Sequence, residues 1–271
     1  MTQTIQEFLA INAASDPGQQ PIHYIETVEA YNQWAKVYDT DGNFLQALDT
    51  IEMQCLLPLF LDKVTKNPPS PQPRVIDLGC GTGRNTLELV RRAPPDACIV
   101  GLDASPGMLD IAREAIHKEL GVESSRATLE IFDLLRSPLA LPVCSQGAVG
   151  IISTLVLEHI PLDQFFGAAA AMLSPGGYFL VTNMHSDMGS ISQAGFVDAE
   201  TGAKIRPTSY SHTVSDTLAA AQRAGFDLEE LDGECIRERK MDDTMVEILG
   251  HRAKKWVGIR VWFSLCFRKQ T

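Results

Sequence analysis

Along the chain, apolar positions first recur at helical intervals. From Ile25 to Tyr38 the spaced residues are Tyr31, Trp34, Ala35 and Tyr38, and from Phe44 to Leu61 they are Leu45, Leu48, Ile51, Cys55, Leu56 and Leu59. Both patterns predict cap or flank helices. The segment Lys66 to Pro73 (KNPPSPQP) holds four prolines and no other apolar side chain, which predicts an extended connector. Beyond it, short β-branched or apolar runs alternate with longer amphipathic ones, the pattern of consecutive βα units feeding a mostly parallel sheet. Strands are expected near Arg74 to Leu78, Cys98 to Leu102, Thr128 to Phe132, Gly147 to Ser153 and Tyr178 to Thr182. Helices are expected near Thr82 to Arg92, Gly107 to Leu120, Leu162 to Leu173 and Ser215 to Ala224. Two later strand-like runs, Phe226 to Arg239 and Val257 to Arg268, suit a closing antiparallel pair at the sheet edge. The expected fold class is therefore α/β: a doubly wound sheet, mostly parallel, with an antiparallel edge strand and N-terminal cap helices. Residues 1–66 read as a helical cap or lid and 73–271 as the main domain. An insertion at about 184–212 carries a hairpin turning at Glu200 to Gly202.

Charge narrows the partners. Of 271 residues, 34 are acidic and 23 basic, a net charge of -11, and Lys and Arg form no run beyond pairs. Such a chain is repelled by phosphate backbones and anionic headgroups, so neither nucleic acid nor membrane is an expected partner. The longest nearly uncharged apolar stretch, Ala148 to Leu157, falls short of the roughly 18 residues that cross a bilayer. The first twenty residues contain Glu7 and Asp16 and no Lys or Arg, unlike a secretory or transit leader, and the expected location is cytoplasmic. Six cysteines occur without CxxC or His-flanked pairs, which points to neither a zinc site nor a disulfide framework.

The stretch Val75-Ile76-Asp77-Leu78-Gly79-Cys80-Gly81-Thr82-Gly83-Arg84-Asn85-Thr86 runs a strand through three alternating glycines into a helix. Backbone N–H groups and a helix N-terminus are thereby offered to a ligand that approaches closely. Neither a dinucleotide fingerprint nor a P-loop fits: from Gly79 the third glycine position is Arg84, from Gly81 it is Thr86, and no G-x-x-x-x-G-K-[ST] string exists. Asp77 at the mouth would repel a pyrophosphate and attract a cationic amine.

The string VIDLGCGTGRNT resembles motif I of the class I S-adenosylmethionine-dependent methyltransferases, whose fold is Rossmann-like, and later motifs arrive in that family's order. Twenty residues past Gly83, Val100-Gly101-Leu102-Asp103-Ala104-Ser105 ends a strand with an acid, and the resemblance makes Asp103 the ribose acid, with Ala104 beside it. Pro106-Gly107-Met108-Leu109 is similar to the turn whose Met packs against adenine. Ile131-Phe132-Asp133-Leu134 is similar to the adenine-binding motif, implying Asp133 and Leu134. Ser153 to Ile160 (STLVLEHI) resembles motif IV, and Leu173 to Tyr178 (LSPGGY) the turn into strand five. Tyr31 to Asp39 looks like the "Y..WA..YD" helix that lids the cofactor, with Tyr31 and Tyr38 facing it, although the same spacing suits plain core aromatics. The implied cofactor-binding set is Tyr31, Tyr38, Asp77, Gly79, Cys80, Gly81, Gly83, Asp103, Ala104, Met108, Asp133, Leu134 and Ser153. The resemblance implies S-adenosyl-L-methionine as the cofactor and S-adenosyl-L-homocysteine as its product, and methyl transfer from a sulfonium is expected to need no metal.

Methyl transfer from a sulfonium is an in-line displacement, so the protein chiefly aligns the nucleophile and excludes water. A hydroxyl acceptor also profits from a base, for which His185, His159 and His212 are the candidates; His159 reads more readily as a loop tie to a backbone carbonyl. The expectation is methylation of an oxygen or nitrogen of a small organic molecule, a secondary metabolite among the candidates, by a monomer or homodimer. The alternatives are a cofactor-retaining cyclase on the same scaffold, a protein methyltransferase, and a non-catalytic partner of another methyltransferase.

Overall fold

The computed structural model describes residues 4–7, 22–66, 72–121, 126–198 and 200–271. Most of the proline connector, residues 67–71, and most of the first twenty residues lie outside them. In chain order the elements are β1 (Ile22–Tyr24), α1 (Thr27–Trp34), α2 (Phe44–Thr65), β2 (Arg74–Leu78), α3 (Arg84–Arg92), β3 (Cys98–Asp103), α4 (Pro106–Leu120), β4 (Ala127–Ile131), β5 (Ala148–Thr154), α5 (Leu162–Met172), β6 (Leu173–Met184), α6 (Ser186–Gly189), β7 (Phe196–Val197), β8 (Lys204–Arg206), α7 (Val214–Arg223), β9 (Phe226–Glu229), β10 (Ile236–Lys240), α8 (Asp243–Leu249) and β11 (Arg260–Lys269).

The βα alternation between Arg74 and Met184 builds five parallel strands in the order β4-β3-β2-β5-β6, after which β11 runs antiparallel to β6. Strands β10 and β9 both pair antiparallel with the outer edge of β11, one beside Arg260 to Leu265 and the other beside Cys266 to Lys269. The strand-like run from Phe226 to Arg239 is split because Asp232 and Gly233 take φ of 58° and 77°, closing a tight turn between Leu231 and Glu234. Period-2 alternation sends Val75, Ile99, Ile152, Leu180 and Trp262 to one face of the sheet and Ile76, Val100, Ile151, Phe179 and Phe263 to the other, each face with its own core. Strand order reverses between β2 and β5, and a crevice opens at that switch point, outside the carboxyl ends of the strands.

Of the two helices expected as cap or flank, α2 flanks the sheet. By length and composition it could cross a membrane, the one such helix among the described residues. Packing accounts for that composition: Leu48, Leu56, Leu57 and Phe60 lie in the same core as Val75 and Leu180. Two buried acids fasten it. Asp49 accepts from Arg84 at 2.5 Å, Thr182 at 2.5 Å and Trp262 Nε1 at 2.9 Å, and Glu52 accepts from Arg239 Nε at 2.5 Å. Such buried carboxylates persist because each oxygen is matched by a donor.

The predicted insertion contains the hairpin β7–β8, whose Asp198 carboxylate binds Thr201 N at 2.7 Å across the turn. Strand β8 also pairs in parallel with β1, giving a separate three-stranded sheet that the sequence pattern does not suggest. Phe196 stacks on Trp34 with ring centroids 5.3 Å apart, which joins this small sheet to α1.

Candidate active site

The site is built from the tips of β2, β3 and β5. Gly79 N and Cys80 N donate to Leu102 O at 2.7 and 2.9 Å, folding the β2–α3 loop against β3. Gly79 has φ +75°, and a Cβ there would lie 2.3 Å from Val156 Cγ2, so only glycine fits. Gly81, at φ +54°, has nothing within 4 Å of a would-be Cβ, so the loop presents bare backbone to open space. Asp103 organises both sides of this opening: one oxygen accepts from Gly81 N and the other from Ser105 N, each at 2.8 Å. Burial pushes its pKa up, while those backbone N–H groups pull it down. Ser105 then caps α4 by accepting from Met108 N at 3.2 Å.

Helix α1 closes over the opening. Asn32 Oδ1 accepts from Ser105 Oγ at 2.7 Å and from Gly107 N at 3.0 Å, and Asp39 accepts from Thr82 Oγ1 at 3.0 Å. Beneath it a cleft opens at the strand tips. Tyr31, Tyr38, Gly79, Gly81, Asp103, Ala104, Met108, Asp133 and Leu134 line it, as does His159. Four residues of the expected set do not. Asp77 sits behind the loop with one oxygen accepting from Thr86 Oγ1 at 2.6 Å and the other without a partner among the described residues; burial raises its pKa to about 6. Cys80 points at Gly101. Gly83 packs against Ala112 as the N-cap of α3. Ser153 donates to Leu78 O at 2.7 Å, tying β5 to the end of β2. These four shape the loop from behind.

The three histidines part company. His159 Nδ1–H donates to Thr208 O at 2.8 Å, which leaves Nε2 to accept from the Tyr31 hydroxyl at 2.8 Å. His185 lies outside the cleft: β6 continues through Met184, so the ring caps α6 through Nδ1, at 3.0 Å from Asp187 N, and donates from Nε2 to Glu238 at 2.9 Å. His212 is buried with Nε2 donating to Ile160 O at 2.9 Å, and burial lowers its pKa. Of the three, the structure brings only His159 to the cleft.

A second cavity adjoins the first and shares Tyr31, Tyr38 and Leu155 as its wall. Leu155 has φ +57°, a conformation rare outside glycine, at the end of β5 where the two spaces meet. Trp34, Phe44, Phe196 and Trp256 give the second chamber an aromatic lining. Glu158 also lines it, 3 % exposed, with one carboxylate oxygen unpartnered among the described residues and its pKa raised by burial. Sequence reasoning passed over Glu158, although its place beside His159 in LEHI was a usable signal. It also passed over Asn32, a plain polar residue whose role exists only once α1 meets α4.

Comparison with known proteins bears on this architecture. A methyltransferase-domain family matches residues 75–177. A methyltransferase of Emericella nidulans, itself uncharacterized, is 54% identical over 97% of this chain and 99% of its own length. The chain belongs to the class I S-adenosylmethionine-dependent methyltransferases. A ubiquinone biosynthesis O-methyltransferase of Xylella fastidiosa is 28% identical over 67% of this methyltransferase and 72% of that protein. The crystal structure of an S-adenosylmethionine-dependent methyltransferase from Mesorhizobium loti, 24% identical, covers 75% of this chain and 94% of its own with a TM-score of 0.54, and shares the fold. The cofactor of this methyltransferase is S-adenosylmethionine, and the cleft fits it: there is an open glycine loop, a carboxylate at the end of β3, a buried Met108, and Asp133 with one oxygen held by Leu135 N at 2.8 Å.

Proposed function

We propose that the chain methylates an oxygen or nitrogen of a small organic molecule held in the aromatic chamber. Gly79, Gly81, Asp103, Met108, Asp133 and Leu134 would hold S-adenosylmethionine in the adjoining cleft. The observation that carries this reading is the shared wall: Tyr31, already bonded to His159 at 2.8 Å, faces both spaces. When bound, S-adenosylmethionine supplies an electrophilic methyl carbon on a sulfonium. The chain's own residues do the rest. Fixed by Thr208 O, His159 keeps its Nε2 lone pair toward Tyr31, so an acceptor hydroxyl bonded to the Tyr31 oxygen has a path for its proton to Nε2. Burial, together with the negative charges of Glu158 and Asp103, holds the Tyr31 phenol well above its usual pKa, so Tyr31 relays a proton without itself resting as a phenolate. The insertion carrying β7 and β8, with α1, forms the lid over the acceptor, and the aromatic lining of Trp34, Phe44, Phe196 and Trp256 suits a small apolar or aromatic body.

The test is incubation with labelled S-adenosylmethionine and a panel of small hydroxyl and amine compounds. The expected result is label transfer with stoichiometric release of S-adenosylhomocysteine. Conversion of an acceptor without that release would replace methyl transfer by cofactor-assisted cyclisation.

A further inference from the structure

The chamber changes character from its buried end to its exposed end. Tyr31, Leu155 and Glu158 stand where it meets the cofactor cleft. At the exposed end Lys204 from β8 meets Arg252, Lys254 and Lys255 from the turn His251–Trp256. In a chain of net charge -11 this gathering of cations requires a physical reason. Among the described residues the ion pairs include none made by Lys204, Lys254 or Lys255. Asp41, which also lines the chamber, is already engaged, one oxygen accepting from Trp34 Nε1 at 2.8 Å and the other from Asn43 N at 2.9 Å. Arg252 donates to the Asp41 carbonyl, which anchors the basic turn across the mouth.

Crowding of like charge is visible elsewhere in the same patch. Lys204 is held below the usual lysine pKa, first by burial and then by Arg206 and Lys255. Arg206 is itself 7 % exposed, and its Nε has no partner among the described residues. Lys255 Nζ lies 5.0 Å over the Trp256 ring, and cations gathered at the rim of an apolar cavity without a carboxylate partner repel one another until an anion sits between them.

We propose that the methyl acceptor is an anion: an apolar or aromatic body bearing a carboxylate, phosphate or sulfate, with that charge held at the mouth by Lys204, Lys254 and Lys255. The body then spans the aromatic lining, and the methyl-accepting atom reaches Tyr31 and Glu158 at the other end. The inference rests on the reading of this chamber as the acceptor site.

The probe is 8-anilinonaphthalene-1-sulfonate, compared with its uncharged parent N-phenyl-1-naphthylamine and followed by energy transfer from Trp34 and Trp256 in the chamber wall. The sulfonate is expected to bind about tenfold tighter than the parent, an advantage that shrinks as salt is raised. The combined Lys204→Gln, Lys254→Gln, Lys255→Gln variant should lose about that tenfold for the sulfonate while keeping its affinity for the parent and for S-adenosylhomocysteine. Equal affinity for the two probes in the native chain, or no change on removing the lysines, would overturn the proposal; the salt series decides it even if the variant fails to fold. Lysine-dependent sulfonate binding without S-adenosylhomocysteine release from any acceptor would leave the anion site standing and remove methyl transfer. Release from uncharged acceptors alone would do the reverse.

Discussion

The cofactor cleft and the chamber proposed for the acceptor share a wall and are built in opposite ways. The cleft is assembled from the tips of adjacent parallel strands, with the β2–α3 loop and the β3–α4 turn locked together through the two oxygens of Asp103. Each piece is contiguous in sequence. The chamber draws on α1, the start of α2, the end of β6, the β7–β8 insertion and the turn at His251–Trp256, segments far apart in sequence that meet only after folding. A cofactor common to many enzymes can be gripped by fixed backbone geometry, whereas an acceptor particular to one enzyme is gripped by side chains on loops that vary freely.

The largest expected effect lies on the shared wall. His159→Ala removes the only histidine at the cleft, and turnover should fall by about 10²- to 10⁴-fold, read as S-adenosylhomocysteine release. A change under threefold would assign His159 to loop support alone.

Next comes a stability effect confined to the cofactor side. Burial raises Asp77 from 3.8 to about 6, so the folded chain holds a proton that the unfolded chain gives up. The stability this group contributes is full below pH 3.8 and lost as pH rises through about 6. Asp77→Asn, which cannot ionise, should therefore raise the unfolding free energy of the ligand-free protein above neutral pH, by up to about 3 kcal/mol, with no gain in strong acid. A pH-independent difference in denaturant melts would contradict this.

The smallest effect concerns His185. Its ring serves the α6 cap and Glu238, so His185→Gln should cost about 1 kcal/mol of stability and leave turnover within about twofold. A hundredfold loss of turnover would restore it to the reaction.

The same contrast explains what could be read from the chain. The five parallel strands, the glycine loop, Asp103 and Asp133 were legible because strand, turn and helix follow one another within a dozen residues. The flank position of α2 was less so, since Asp49 and Glu52 look like a solvated face until Arg84 and Arg239 arrive from elsewhere. His185 was placed in the crevice by the expectation that β6 ends near Thr182, whereas the strand runs to Met184 and turns the imidazole toward β10. Glu158 had a local signal in LEHI, but neither its place in the chamber nor the lysine-lined mouth can be read from neighbours in sequence. Their roles depend on which distant loops share a cavity, and spacing along one chain does not encode that.

The division between a strand-tip cofactor site and a loop-built acceptor site is tested most directly by calorimetric titration of S-adenosylhomocysteine into two variants. Asp103→Ala breaks the grip on the β2–α3 loop, and Ala194→Trp fills the chamber at a position that does not line the cleft. The account predicts that Asp103→Ala weakens binding by about 1–3 kcal/mol while Ala194→Trp binds as the native chain does. Full affinity in Asp103→Ala, or loss of affinity in Ala194→Trp, would contradict it.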